Sequence, residues 1–449
     1  MKKFLEIFKN KEVVSRIFFT VMILFVFRIG CAIPTPGIDA SEFSDQLNSS
    51  SNNILALMNL LGGGALQNFS IFALGVSPYI TAQIIIQLLS MDVLPALTEL
   101  NRQGQYGRRK IEMATRYLTL MLAAVQAYGI IQTALNTSWI KFTLEENFLT
   151  YAYIVTIMVA GAMLVMWLGD QITTKGIGNG ISVIIFAGIV SSLPNQIVTA
   201  FQKWVLTSWN HGSVEATKGI FQFLLYVLSF ILIIAFVVYI ELSRRKIPVQ
   251  HATRSGGNEK LSKASFLPIK VNSAGVIPVI FASSILMAPS VIATFISSDA
   301  ANAEWLKVFQ YNQLVDMGGG VYMPWGLIIY LVLVFAFTFF YANLQINPAQ
   351  LAENFQKNGS YIPGIRPGVE TEKYVSKVLN RITLIGALSL SFISALPVVL
   401  TLTGVFGNDS TLALGGTGLI IVVGVALELN NQINGLIAGK SYDEVIGGM

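Results

Sequence analysis

The sequence predicts an all-α integral membrane protein: ten transmembrane helices in two inverted five-helix halves. Three observations carry that prediction. Charged residues make up 12 % of the 449 positions and apolar ones 53 %, against a charged share of about 25 % in ordinary globular domains. Ten charge-poor runs follow one another along the chain, each near the ~20 residues needed to cross ~30 Å of hydrocarbon. The lysines and arginines between the runs gather on alternate loops. Such a composition excludes a soluble enzyme, a disordered chain and a disulfide scaffold. With a single cysteine, Cys31, and two histidines, neither an internal bridge nor a zinc or iron–sulfur centre is expected.

The runs are 14–33, 74–91, 115–135, 148–168, 181–201, 220–240, 276–296, 324–346, 382–402 and 414–433. Backbone groups in lipid must be satisfied within the segment, which makes these runs helices. The first follows Lys2, Lys3, Lys9 and Lys11, as a signal peptide would, and Ile29-Gly30-Cys31 is similar to a lipoprotein cleavage box. Arg28, however, sits where that box needs an aliphatic residue. An uncleaved first span is the better reading.

Between the first two runs, 54–72 is apolar but broken by Gly62-Gly63-Gly64, a poor helix interior. It reads as a re-entrant or externally packed half-helix, tolerated only where protein or water surrounds it. Placing the amino terminus and every second loop on one side puts 22 lysines and arginines there. The other side keeps 4: Lys141, Lys203, Lys218 and Lys307. Both termini are therefore expected in the cytoplasm. Two long loops on that side, 241–271 and 347–380, are basic, and the second carries Pro348, Pro363 and Pro367. Both are expected to project from the membrane surface.

The chain also repeats. Gly75-Val76-Ser77-Pro78-Tyr79-Ile80 opens the second run and Gly275-Val276-Ile277-Pro278-Val279-Ile280 opens the seventh. The repeat divides the chain into halves 1–202 and 203–449. Five spans per half is odd, so the halves insert in opposite senses, and such repeats place a pathway at their interface. Both prolines are candidate kinks.

No motif for phosphate cradling, metal ligation or nucleophilic catalysis is present. Gly176-Ile177-Gly178-Asn179-Gly180 follows a membrane helix rather than a strand, so it reads as a tight turn and not a nucleotide fingerprint. Arg28 near the outer end of span one and Glu428 near the inner end of span ten are each open to a functional or a structural role. Mid-membrane acids of the kind a proton- or sodium-coupled carrier uses are lacking.

Several blocks carry a resemblance. Arg28-Ile29-Gly30 with Ile33-Pro34-Thr35-Pro36-Gly37, Gly62-Gly63-Gly64-Ala65-Leu66, and Gly107-Arg108-Arg109-Lys110 lie in the first half. So do Met166-Trp167-Leu168-Gly169-Asp170 and the 176–180 turn, while Ala274-Gly275-Val276-Ile277-Pro278 and Pro363-Gly364-Ile365-Arg366-Pro367-Gly368 lie in the second. Over nearly the whole chain these blocks are similar to the bacterial form of the SecY family of protein-conducting channel subunits.

That resemblance implies an hourglass pore, with no catalysis and no cofactor. A plug maps onto Ile54, Leu57, Leu60, Leu61, Gly62, Gly63 and Gly64, and a ring of aliphatic side chains onto Val76, Ile80, Ile185, Ile280 and Ile421. Taken singly, each ring residue reads as ordinary helix packing, and only the motif match points to a pore. A lateral gate between spans two and seven maps onto Thr81, Gln87 and Asn272, which taken alone also read as plain inter-helix hydrogen bonding.

Implied partners are the small subunits SecE and SecG, the motor ATPase SecA, the ribosome, secretory and membrane protein precursors, and the lipid bilayer. Docking positions are Arg254, Lys260, Arg366 and Lys373, although basic loops are expected from topology alone. Where bacterial members often carry tandem basic residues, Gly257 is followed by Asn258 and Glu259, which weakens the case for ribosome contact there. The implied location is the bacterial cytoplasmic (inner) membrane. Two functions remain: a passive polypeptide channel, favoured by the glycine-broken half-helix, and an inverted-repeat transporter of a small solute.

Overall fold

The computed structural model describes residues 10–39, 43, 59, 62–90, 94–136, 140–143, 145, 147–206, 213–251, 265–296, 304–310, 314–316, 322–402 and 415–446. The first half holds helices α1 (Lys11–Ala32), α2 (Ser77–Leu89), α3 (Pro95–Arg102), α4 (Gln105–Asn136), α5 (Phe148–Lys175) and α6 (Gly180–Phe201). The second holds α7 (Ser213–Leu242), α8 (Ile277–Ile296), α9 (Trp325–Gln345), α10 (Pro348–Lys357), α11 (Val369–Leu402) and α12 (Gly415–Ile446). Among the described residues, eight helices are long and apolar enough to cross a membrane; α2 and the described part of α8 are shorter apolar helices. Each of the ten predicted runs falls on one of these ten helices.

The second run is a partial exception. Its helix has 13 residues, ~20 Å at 1.5 Å per residue, because the chain before it is turned by Gly75 at φ +54°. Pro78 then fixes the first turn, where a missing N–H costs nothing. Other helices outrun their predicted spans: α4 has 32 residues and α11 has 34. Their extra turns carry charge, as Arg108, Arg109 and Lys110 in α4 and Lys373, Lys377 and Arg381 in α11, so apolar runs alone miss them.

Short strands occupy the connections. The 241–271 segment is a hairpin of β3 (Arg244–His251) and β4 (Ser265–Lys270), extended by β7 (Ser360–Tyr361) into an antiparallel order β4-β3-β7. Alternation explains it. Ile247 and Val249 turn inward while Lys246, Pro248 and Gln250 stay exposed. Ile247 and Ile269 pack with Ile362, Val375 and Leu379, seating this sheet on the polar extension of α11. Two further pairs, β1 (Ile38–Asp39) with β2 (Lys141–Phe142) and β5 (Val315–Asp316) with β6 (Tyr322–Met323), close other loops.

The core has a divided form. One buried cluster, including Leu66, Phe69, Ile131, Ile154 and Met158, lies within the first half. Another, including Val237, Leu286, Tyr330, Leu390 and Ile420, lies within the second. A third draws on α1, α2, α5, α6, α8, α9 and α12 and so belongs to both. Across the halves, α8 meets α2 and α4, while α12 meets α6 and α1.

The 176–180 turn is the tight turn that its glycines predict. Gly178 adopts φ +89°. The turn's amides are met by Thr20 Oγ1 on Ile177 N–H, Gln432 Oε1 on Gly178 N–H and Thr173 Oγ1 on Gly180 N–H. With these donors already satisfied, the turn has no free cradle for phosphate.

Candidate functional site

The two copies of the G-V-x-P-x-I repeat share a backbone design. Gly75 and Gly275 both lie in the left-handed region, at φ +54° and +66°, which a side chain disfavours. The following valine leads into the helix, and its carbonyl accepts from the isoleucine four residues on: Ile80 N–H to Val76 at 3.0 Å, Ile280 N–H to Val276 at 3.4 Å. Four residues is one helical turn, so in each copy valine and isoleucine share a face.

Those faces meet. Val76, Ile80, Ile185 and Ile421 are buried members of the cluster common to both halves, and half-buried Ile280 packs against it. The five aliphatic positions thus converge from α2, α6, α8 and α12. A Cβ added at Gly424, one turn from Ile421, would lie 2.8 Å from Val276 Cγ1. Sequence reasoning did not single out Ile84, Ile189 and Val425, each four residues beyond a ring position and buried in the same cluster. Their i+4 spacing was the available signal. Such an arrangement can close a passage with hydrocarbon and can do no bond-making chemistry.

Beside this cluster lies the glycine turn. Gly63 and Gly64 adopt φ +72° and +80°, conformations open to glycine at little cost. The turn is pinned from three sides. Arg28 Nη1 donates to the Gly63 carbonyl at 2.8 Å. Gly188 of α6 meets Gly63 backbone to backbone, and Gly75 does the same with Gly62. Phe27 stacks on Phe72 with ring centroids 5.9 Å apart. Arg28, whose role the sequence left open, therefore holds a backbone carbonyl. Of the other positions mapped to the plug, Ile54, Leu57, Leu60 and Leu61 lie outside the described residues.

Replacing Arg28 by Gln is expected to loosen the turn by about 1–2 kcal/mol, the range for a partly exposed charged hydrogen bond. The measurement is the thermal midpoint of the purified protein in detergent. An unchanged midpoint would show that the bond does not hold the turn.

The gate positions separate in space. Thr81 Oγ1 donates to the Ser77 carbonyl at 3.1 Å, within its own helix. Gln87 Oε1 accepts from the Tyr341 hydroxyl of α9 at 3.0 Å, a bond between the halves. Asn272 is 2 % exposed and donates to Glu241 at the end of α7 and to the Gly275 carbonyl, both in its own half. Of the docking positions, Arg254 and Lys260 lie outside the described residues. Arg366 is exposed on the turn before α11, and Lys373 is exposed in that helix's second turn. With Lys377 and Arg381 it forms a basic row at four-residue spacing. Among the described residues, no group of three or more histidine, cysteine or acidic side chains could hold a metal.

Comparison with known proteins gives three concordant findings. The family model described as SecY matches residues 70–430. A protein translocase subunit SecY of Streptococcus sanguinis (strain SK36) is 44 % identical over 437 residues, covering 97 % of each chain. The fold is similar to a SecY structure described as having a plug domain that stabilises the closed state and maintains a membrane seal. That match has TM-score 0.64 at 18 % identity, over 93 % of this chain and 91 % of that one. It is also similar to Sec61 in a canine ribosome–channel complex from the endoplasmic reticulum, with TM-score 0.61 at 17 % identity over 93 % and 91 %.

Proposed function

The chain belongs to the SecY family, a channel-forming subunit of a protein translocase, and on that premise we propose how its residues divide the work. Val76, Ile80, Ile185, Ile280 and Ile421 form the constriction. One observation supports this reading: these five side chains, drawn from four separate stretches of the chain, belong to or pack against one apolar cluster that both halves share. A narrow hydrocarbon collar sheds water and blocks ions at rest. Flexible side chains then part around an extended polypeptide and seal against it. The glycine-broken segment, about 54–72, is the plug, and Arg28 and Gly188 hold its glycine turn.

The halves 1–202 and 203–449 move against each other so that the seam between α2 and α8 opens sideways. An apolar signal helix leaves through it because transfer of its surface to lipid is favourable. Gln87 contributes to closing that seam; Thr81 and Asn272 flank it and bond within their own halves. The protein lies in the bacterial cytoplasmic membrane with both termini inside, the side that collects the basic loops. Arg366 and Lys373 face the motor ATPase SecA or the ribosome, whose RNA offers phosphate charge. Arg254 and Lys260 belong to the same basic loops, and SecE and SecG complete the complex. The alternative of a small-solute carrier finds no support in the family to which the chain belongs.

The test is reconstitution with SecE, SecG and SecA in proteoliposomes, followed by ATP-dependent uptake of a secretory precursor. Protection of the precursor from added protease is the expected result. Uptake of a small solute with no precursor protected would overturn it.

A further inference from the structure

The two copies of the repeat are held in different ways. In the first, a Cβ at Gly75 would lie 2.5 Å from Gly62 Cα, so backbone packed on backbone fixes the turn that enters α2. In the second, a Cβ at Gly275 would meet nothing within 4 Å. Gly275 nonetheless sits at φ +66°, and a side chain reaches it there. Asn272 Nδ2 donates to the Gly275 carbonyl at 3.1 Å.

The same nitrogen donates to Glu241 Oε1, one residue from the end of α7. A carboxamide nitrogen carries two hydrogens, and these two acceptors use both. The plane of the buried amide is thereby fixed, and with it the placing of the Gly275 turn against α7. Behind Asn272 the chain is already fast. Val271 N–H donates to the Ser243 carbonyl at 3.0 Å, and a Cβ on Gly386 of α11 would lie 2.4 Å from the Val271 carbonyl oxygen. Ahead of it, Ala274 is buried in the cluster that both halves share. Ile280 follows Gly275 by five residues, ~7 Å along the rod of α8 at 1.5 Å per residue. Any change in the Gly275 turn re-aims that rod from its first residue.

We propose that Glu241 is a positioning residue for the constriction: through Asn272 it sets the Gly275 turn and so holds Ile280 in place. This rests on the reading of Ile280 as a constriction residue. Without an acceptor at 241 the amide keeps one bond and turns about its own torsions. The left-handed turn, which glycine leaves at little cost, then relaxes and carries α8 with it. The first copy needs no such device, because glycine against glycine leaves its turn no room. What the amide requires at 241 is an acceptor, and a carboxamide oxygen serves as a carboxylate does.

The experiment measures resting conductance of the complete complex in planar bilayers, with Ile280→Gly channels alongside. Glu241→Ala should raise conductance about fivefold, the equilibrium shift that one ordinary hydrogen bond carries. Glu241→Gln keeps the acceptor and should stay at the wild-type level. Asn272→Asp keeps the size, removes the donor and should leak as Glu241→Ala does; it replaces that variant if the alanine chain does not assemble. Added to Ile280→Gly, the Glu241→Ala change should raise conductance no further, because its effect passes through the side chain already removed. A role in folding alone would lower the melting midpoint of Glu241→Ala and leave its conductance unchanged, and that result overturns the proposal. So does an equal leak in Glu241→Gln, or a further leak in the double variant. If Ile280→Gly itself does not leak, the constriction reading falls and the positioning role falls with it.

Discussion

Ile80→Gly and Ile280→Gly channels are expected to leak ions at rest, with closed-state conductance in planar bilayers at least about tenfold above wild type. On the proposed assignment, each change removes a branched side chain from a five-residue constriction within the apolar cluster that both halves share. No neighbour can fill the gap without a helix moving, since interiors relax only partly around a deleted side chain. A widened, less apolar waist admits water, and ions follow the water. Ile80 is 7 % exposed, and its loss should also cost about 2–5 kcal/mol of stability by the measure of buried large-to-small changes. Ile280 is half-buried and should leak at smaller cost. Unchanged conductance in both variants would sink the constriction. A leak in Ile280→Gly at near-native melting separates pore loss from unfolding.

The second large effect belongs to Gly188. A Cβ there would collide with Gly63 Cα, and Gly63 cannot yield easily because Arg28 holds its carbonyl. Gly188→Val should therefore either destabilise the protein by roughly 3 kcal/mol, the scale of overpacking at a rigid contact, or expel the glycine turn and raise resting conductance. A methyl added at Gly435 on α12 would meet nothing within 4 Å, so Gly435→Ala is the matched control and should change neither quantity. A Gly188→Val protein with native melting and native conductance would mean that α6 and the turn do not touch.

Much of the fold was legible because lipid imposes one demand, apolarity over a fixed length. Runs such as 148–168 and 181–201 fall within a residue of the start of α5 and α6. The same demand is silent outside the bilayer. There the polar turns of α4 and α11 looked like loops, and the β3–β4 hairpin showed only a brief alternation at Ile247 and Val249. The proposed ring drew on the chain's own duplication, Ile80 with Ile280, and on a resemblance that supplied Ile185 and Ile421. Gly188 and Tyr341 were not legible in this way. Each matters through a partner distant along the chain, Gly63 in one case and Gln87, 254 positions away, in the other. No local period connects them. Asn272 shows the reverse case, since a motif placed it near the seam while its donors go to Glu241 and Gly275.

The length of α11 has a mechanical corollary. Its 34 residues make a rod of ~51 Å, about 20 Å longer than the hydrocarbon it crosses. It lies along α9, the helix that bears Tyr341. A load on its outlying end, where Lys373 stands, acts through a lever whose fulcrum is the membrane surface. Tilting such a rod by about 5° about that fulcrum swings its ~30 Å inner arm by roughly 3 Å at the far end, about the length of one hydrogen bond.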